Sequence, residues 1–488
     1  MKLYNTMSGK KEDFVPLHDR KVGIYACGVT VYDYSHIGHA RSVIIFDVIK
    51  RYLTHKGFEV KFVRNFTDID DKIIKRSHEE CHSWDEVARK YIKEYYADMD
   101  RLGVARADVE PKATGHIPEM IEVIRGLIEK GHAYESDGSV YFAVDTFPEY
   151  GKLSKKEQKD LLAGARVDVE EKKRNPSDFA LWKASKPGEP WWDSPWGKGR
   201  PGWHIECTAM AMKHLGESID IHGGGADLIF PHHENEIAQS EAYSGKMFAK
   251  YWVHNGFITI DKEKMSKSLG NFFTVREILD KFDPEVVRLF ILSSHYRSPI
   301  EFSNEQLRDA ESSLDRYYST AARIDDFLAG APPVSGKAPK SAAVCEELAA
   351  VLDGFKDRFE EAMDDDFNTA LALGHVFELV RVINKYLDAK PAGEDAQRLV
   401  QRAKDALHMA GGVLNLFHRT VAQWNIDLLA IKRIPLTQAE IEQKIEDRRK
   451  ARENKDWALA DAIRKELEEK GVLLEDRKDG TGWKVRIV

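Results

Sequence analysis

The sequence predicts an α/β fold: a parallel sheet interrupted by an inserted domain and followed by an α-helical bundle and a small C-terminal α/β region. Three observations carry this reading. Strand and helix patterns alternate through the first seventy residues and resume near residue 219. The stretch between about 111 and 198 breaks that rhythm. From Asn304 onward, apolar residues recur almost wholly at helical spacing.

Taken in order, Val22-Gly23-Ile24-Tyr25-Ala26-Cys27 reads as a buried strand that ends in a Gly-containing turn. From about Ser35 to Lys56 the apolar residues Ile37, Val43, Ile44, Phe46, Val48, Ile49 and Leu53 mark a helix, which Gly57 stops. Strand character returns over Glu59–Thr67. Strand, helix and strand in fifty residues make the βαβ unit of a Rossmann-type parallel sheet. The interruption holds a helix near Ile117–Lys130, a hairpin turn at Asp137-Gly138 and a Trp/Pro/Gly-rich stretch over Pro187–Gly202. Alternation resumes at Ile219–His222, followed by the glycine run Gly223-Gly224-Gly225 and a helix from about Pro231 to Tyr243. A helical bundle is expected from Asn304 to about Trp424, broken by an Ala/Pro/Gly-rich linker at Ala329–Ser341. The last segment reads as one charged helix from Ile434 to Lys470 with two short strands, Gly471–Leu474 and Trp483–Ile487. Domains are therefore expected at 1–110 with 199–303 (the sheet), 111–198 (the insertion), 304–430 (the bundle) and 431–488 (the C-terminal α/β region).

The bulk numbers limit the function classes. At 488 residues the chain is too long for one compact domain. It is 42% hydrophobic and 32% charged, with no apolar run near the ~18 residues a membrane span needs. Met1-Lys2-Leu3-Tyr4-Asn5 lacks the apolar stretch of a secretory signal, so a cytoplasmic protein is expected. Four scattered cysteines, Cys27, Cys81, Cys207 and Cys345, make no disulfide framework. A net charge of −8 argues against blanket nucleic-acid binding but leaves room for a local basic surface.

Two segments suit phosphate chemistry. His36-Ile37-Gly38-His39 opens the first long helix, where unpaired N–H groups and a partial positive charge attract anions. Gly38 permits close approach of a ligand to the backbone, and His36 and His39 lie on one face. Lys264-Met265-Ser266-Lys267-Ser268 precedes Leu269-Gly270-Asn271 in a polar loop whose lysines would stabilise a pyrophosphate leaving group. Both motifs together, in this order, resemble those of the class I aminoacyl-tRNA synthetases. The resemblance implies an aminoacyl-adenylate product, with the lysine loop closing over Mg-ATP.

The remaining cysteines point to a metal. Cys27 ends a strand, where α/β proteins keep their ligands. Cys207 lies in Gly202-Trp203-His204-Ile205-Glu206-Cys207, and His232, His233, Glu234 and Glu236 share one helix, with His232 and Glu236 at i, i+4. Two thiolates, an imidazole and a carboxylate suit tetrahedral zinc. The residues alone do not choose between His232 and His233, nor do they bring Cys27 to Cys207.

The resemblance supplies that step. Ala26–Asp33 through His39, Phe66-Thr67-Asp68-Ile69-Asp70-Asp71-Lys72-Ile73, Gly202–Cys207 and Pro231–Glu236 resemble cysteinyl-tRNA synthetases from one end of the chain to the other. The zinc ligands it implies are Cys27, Cys207, His232 and Glu236, one Zn2+ per chain. Zinc would answer a chemical need, because cysteine and serine differ too little in shape for a pocket to separate them well. Trp203 is expected to wall the cysteine pocket, with Gly28, Thr30 and Thr67 as further contacts. Gly223-Gly224-Gly225-Ala226-Asp227 resembles the nucleoside-binding turn of that family, with Gly224 and Asp227 joining Gly38, Lys267 and Ser268 at ATP. Asp227 would accept from a ribose or from a substrate amine.

At the far end, Met363-Asp364-Asp365-Asp366-Phe367-Asn368-Thr369-Ala370 resembles the helix start of the family's bundle, and Asp366 or one of its neighbours reads as a helix cap. Asn454–Arg464 and Gly480–Trp483 resemble its anticodon-reading region. From Lys432 to Val488 fifteen Lys/Arg face thirteen Asp/Glu, a net of +2. Arg448, Arg449, Lys450 and Arg452 beside Trp457 offer phosphate contacts and a stacking platform for RNA. The function expected is ATP-dependent activation of L-cysteine and its transfer to the terminal adenosine of its tRNA, by a monomer without membrane contact. His36, His39, Lys264 and Lys267 would be the catalytic set. Two rival readings are a cysteine ligase of the mycothiol type, whose family lacks the terminal region, and a non-catalytic RNA-binding relative.

Overall fold

The computed structural model describes residues 1–156, 173–260, 263–264, 272–330, 342–477 and 480–487, which fall into two compact units. The first unit comprises Met1–Val275, His295–Glu301 and Glu361–Asn368. It opens with the antiparallel pair β1 (Lys2–Asn5) and β2 (Lys10–Asp13), then β3 (Lys21–Thr30), helix α1 (Ile37–His55) and β4 (Glu59–Thr67). Helices α2 (Asp71–Glu80), α3 (Trp84–Arg101) and α4 (Ile117–Glu129) follow. The inserted sheet is antiparallel, β5 (Ala133–Ser136), β6 (Ser139–Phe142), β7 (Phe179–Ala184) and β8 (Gly199–Pro201), in that order. Asp137 and Gly138 both adopt positive φ in the predicted hairpin turn, the geometry that matches strand twist.

After the helix Trp203–Leu215 come β9 (Ile219–Gly225), the helix Glu234–Ser244 and β10 (Ala249–Asn255). Strands β10, β9, β3 and β4 form the central sheet in that order, all parallel. The chain passes from β3 to β4 on one side and later fills the other side with β9 and β10. That reversal leaves a crevice beyond the carboxyl ends of β3 and β9, where α/β folds bind ligands. Helix α1 covers the sheet because Ile37, Val43, Ile44, Phe46, Ile49 and Leu53 all fall inward. Each such side chain contributes about 1.5–3 kcal/mol on burial.

Several expectations are revised. The glycine run belongs to β9 rather than to a turn, because a Cβ on Gly223 would stand 2.3 Å from the carbonyl of Val253 on the neighbouring strand. The following helix starts at Glu234, after a wide five-residue turn over Ile229–His233 with extended backbone at Phe230. Cys27 lies within β3 at a register shift between Ala26 and Val29. Of the residues expected to offer a cap, Asp366 is engaged elsewhere. It is buried at φ 65° and accepts from Tyr4 N (2.8 Å), Tyr296 Oη (2.8 Å) and Arg297 Nε (2.7 Å), stitching three distant segments into this unit.

The second unit comprises Arg276–Ser294, Phe302–Glu360 and Thr369–Val488. Its long helices, Asn304–Ala329, Thr369–Asp388 and Glu394–Leu414, bury apolar stripes at helical spacing. The predicted single helix near the C-terminus is two, Gln438–Glu453 and Trp457–Glu469, broken at Lys455 in the left-handed region. Strands Val472–Arg477 and Gly480–Val485 pair antiparallel beyond them. Among the described residues, no helix is long and apolar enough to cross a membrane.

Candidate active site and metal centre

A cleft of about 510 Å³ opens in the first unit beyond the ends of β3 and β9. His36, Gly38 and His39 line it from the start of α1, and Gly28, Thr30, Trp203 and Asp227 also face it. His36 is the N-cap of α1: its Nδ1 accepts from the N–H of Gly38 (3.1 Å) and of His39 (3.3 Å). His39 Nδ1 accepts in turn from His36 N, and the two rings stack at 3.6 Å. Because each Nδ1 is an acceptor, the proton of each neutral ring sits on Nε2. The helix N–H groups expected to meet an anion are thus engaged, those of Gly38 and His39 by His36 and that of Ile37 by the carbonyl of Phe273 (3.2 Å).

Next to the cleft, Cys27, Cys207, His232 and Glu236 converge, with donor atoms within 4.8 Å of one another. Their separations are 3.7 Å for Cys27 Sγ to Cys207 Sγ, 3.5 Å for Cys27 Sγ to Glu236 Oε1 and 2.9 Å for His232 Nε2 to Glu236 Oε1. A tetrahedral ion with bonds of about 2.0–2.3 Å spaces its ligands about 3.3–3.8 Å apart. The set therefore fits zinc in donor chemistry and, after a small relaxation of the His232–Glu236 pair, in spacing. A second group, Cys27, His222, His233 and Glu236, shares two members with it. The first has the two sulfurs that favour zinc, so the second serves best as its outer support.

That support was not foreseen from sequence. His222 Nε2 meets the second carboxylate oxygen of Glu236 at 2.8 Å, and His233 reaches His254 (2.8 Å), which reaches Thr6 (2.8 Å). Asn65 bonds the N–H of Gly28 (2.9 Å) and lies 3.8 Å from Cys207 Sγ. Burial pushes the imidazoles of His204, His233 and His254 down, the last to about 3, so these rings stay neutral. Burial alone would raise Glu236, but His222 and His232 hold it well below the usual carboxylate range. Burial likewise opposes ionisation of the thiols. The hydrogen bond from Cys27 and the charge of His232 nevertheless bring Cys207 down to about 6, while Cys27 is pushed up. The pair holds one thiolate readily and resists a second without a cation.

Trp203 is 37% exposed and stacks on His232 at 4.2 Å, so it touches both the cleft and the candidate ligands. Thr67 is buried and donates to Glu206 Oε2 (2.8 Å). It does not line the cleft, unlike Thr30. Gly28 has no room for a side chain, since a Cβ would lie 1.6 Å from the carbonyl oxygen of Asn65. Gly224, in β9, is likewise tight against Leu228 (2.8 Å). Also unforeseen is Arg41, buried two residues after His39. It donates to the carbonyls of Phe257 (2.7 Å), Tyr296 (2.9 Å) and Ser298, fixing the cleft wall at 256–258 against α1.

Of the lysine loop, Glu263–Lys264 forms a short strand paired with Ile258–Ile260. The Lys264 side chain, Lys267 and Ser268 lie outside the described residues. In the second unit Arg448 is buried and pairs with Asp476 (2.7 and 3.0 Å), so it holds the terminal hairpin rather than facing solvent. Arg449 pairs with Glu446 and Glu453, and Lys450 lies 3.7 Å from Glu446. Arg452 is 3.6 Å from Asp476, and Trp457 is 58% exposed.

Three family models match the chain in series. They are the class I (C) tRNA synthetase catalytic domain over residues 13–312, the DALR domain over 358–418, and the cysteinyl-tRNA ligase anticodon binding domain over 435–483. Similar curated proteins include cysteine–tRNA ligases of Thermodesulfovibrio yellowstonii (60% identical), Syntrophotalea carbinolica (54%) and Geobacter sulfurreducens (53%), each aligned over 100% of both chains. A solved methionyl-tRNA synthetase of Mycobacterium tuberculosis in complex with methionyl-adenylate shares the fold. Its TM-score is 0.60 at 16% identity, over 84% of this chain and 91% of that one.

Proposed function

The chain belongs to the cysteine–tRNA ligase family, a class I aminoacyl-tRNA synthetase, and from that premise we propose how its residues divide the work. The observation that carries the proposal is the convergence of Cys27, Cys207, His232 and Glu236 beside the cleft that His36 and His39 line. L-Cysteine binds with its side chain toward that cluster, Trp203 forming one wall and Gly28 and Thr30 the floor. Cys27, Cys207, His232 and Glu236 would hold a zinc ion there, which would supply a bond to the substrate thiolate that a serine hydroxyl does not match. No editing site is then required.

Mg-ATP lies with its nucleoside toward Gly224 and Asp227 and its phosphates against Gly38 and the two Nε2–H groups. Attack of the cysteine carboxylate on the α-phosphorus forms cysteinyl-adenylate and expels pyrophosphate. Lys264, Lys267 and Ser268 complete the charge stabilisation from the loop. No side chain acts as a covalent nucleophile, so positioning and electrostatics supply the acceleration. A ribose hydroxyl of the tRNA's terminal adenosine then attacks the cysteinyl carbonyl, forming the ester and releasing AMP. In domain terms, 1–110 with 199–303 perform the chemistry, and 111–198 are the inserted domain. Residues 304–430 form the helical bundle, and 431–488 read the anticodon.

Cysteine-dependent ATP–pyrophosphate exchange tests this. The pure protein should exchange with cysteine at least about 10²-fold better than with serine, beyond what a shape-selective pocket achieves. Absence of exchange, or equal exchange with serine, overturns the reading.

A further inference from the structure

We propose that Lys72 receives the phosphodiester of the incoming tRNA's 3′ end and so acts in transfer rather than in activation. Lys72 is exposed at the first turn of α2 and lines the cleft. Four carboxylates surround it in sequence or fold, and each is engaged elsewhere. Asp71 pairs with Lys183 (2.8 Å) and Arg200 of the inserted sheet, and Asp70 caps α2 by accepting from the backbone N–H of Lys72 (2.9 Å). Asp68 accepts from Thr114 N and Oγ1 (2.9 and 2.6 Å), and Asp33 from Arg76 and Tyr34 N. Among the described residues no carboxylate forms an ion pair with Lys72, whose ammonium lies 5.4 Å from the centre of the Tyr32 ring.

An exposed ammonium directed into a cleft calls for an anion, and its place says which one. The sheet runs β10–β9–β3–β4. Lys72 follows β4 at one edge, the wall at 256–258 follows β10 at the other, and His36–His39 follow β3 between them. Three strand spacings of about 4.8 Å separate the two edges. A nucleotide with its phosphates on the histidines and its nucleoside toward β9 and β10 leaves the Lys72 side for a second anion. Lys183 and Arg200 tether the start of α2 to the inserted sheet, so Lys72 stands at the seam between insertion and cleft. A single strand entering over that seam brings its terminal phosphodiester to the ammonium.

This inference rests on the proposed function, and the experiment separates the two. Lys72→Met, Lys72→Gln and Lys72→Arg are compared in pyrophosphate exchange and in single-turnover transfer from preformed adenylate. For Met and Gln, the tRNA concentration for half-maximal transfer should rise about five- to tenfold, with exchange within twofold of the parent. Its log–log dependence on salt should flatten by about 0.7, the value for one phosphate contact on a single strand. Arg should restore both. Exchange that falls in step with transfer would assign Lys72 to the nucleotide and overturn the proposal, as would an unchanged tRNA requirement or salt slope. A parent without cysteine-dependent exchange would instead refute the proposed function, whatever the variants do.

Discussion

Half-buried Cys27 and buried Cys207 face each other at 3.7 Å, and without a cation only one of them ionises readily. Removing either sulfur would take away one of the proposed zinc ligands. Cys207→Ser should leave less than about a tenth of the parent's zinc and lower cysteine-dependent exchange at least about 100-fold, since even outer-shell losses cost 10–100-fold. Metal analysis alongside exchange checks both. His222 acts one step back, fixing the second oxygen of Glu236 at 2.8 Å. His222→Ala should weaken zinc binding about 10–100-fold in a chelator competition. Unchanged affinity would remove it from the site's support. The convergence of Cys27, Cys207, His232 and Glu236 was legible in sequence once the family resemblance was added to donor type and spacing. Their supports were not. His222, Asn65 and His254 sit in strands, where a lone polar residue announces no partner until the sheet register is known. Arg448 misled in the opposite direction, because a charged run on a helix does not reveal which member turns inward to Asp476.

At the scale of elements, the register shift in β3 sets the cysteine in place. Gly28 occupies it with no space for a Cβ, so Gly28→Ala forces β3 and β4 apart. It should cost more than about 2 kcal/mol in denaturant unfolding, at the severe end for overpacking. It should also weaken metal retention. The terminal hairpin offers a pH-dependent test. Arg448 donates to Asp476 and, with Thr481 and against some desolvation, holds that carboxyl at about 2. Its folded value lies below the unfolded one, so the pair stabilises above about pH 4 and fades as pH falls through about 2. Arg448→Met should therefore destabilise the fold about the hairpin by about 1–2 kcal/mol at pH 7, solvent screening of the half-exposed carboxylate limiting the cost. The gap from the parent should close on acidification, as followed by denaturation midpoints. Element types were mostly readable because α1, β4 and α4 carry long periodic patterns. The glycine strand β9 was not, since three glycines look like a turn until a neighbouring backbone is seen to need the space. Nor was the break at Lys455, which has no Gly or Pro to mark it.

For the whole molecule, the sequence order of sheet, insertion and helices was visible, whereas the return of 295–301 and 361–368 to the first unit was hidden. That return depends on Asp366 collecting donors from residues 70 and 362 positions away. Division of labour between parts predicts that removing Pro435–Val488 leaves exchange within about threefold while charging of tRNA falls at least about tenfold, since each lost base-stacking contact is worth about 1–3 kcal/mol. Equal charging by the truncated and full chains would end the anticodon assignment. The most direct test of the central claim is spectroscopic. The chain is loaded with Co2+ in place of zinc, and thiolate-to-cobalt charge-transfer absorption is followed while amino acid is added without ATP. L-Cysteine should raise the band in a saturable way, and L-serine should leave it unchanged. Saturable cysteine binding by calorimetry with no change in that band would contradict the account.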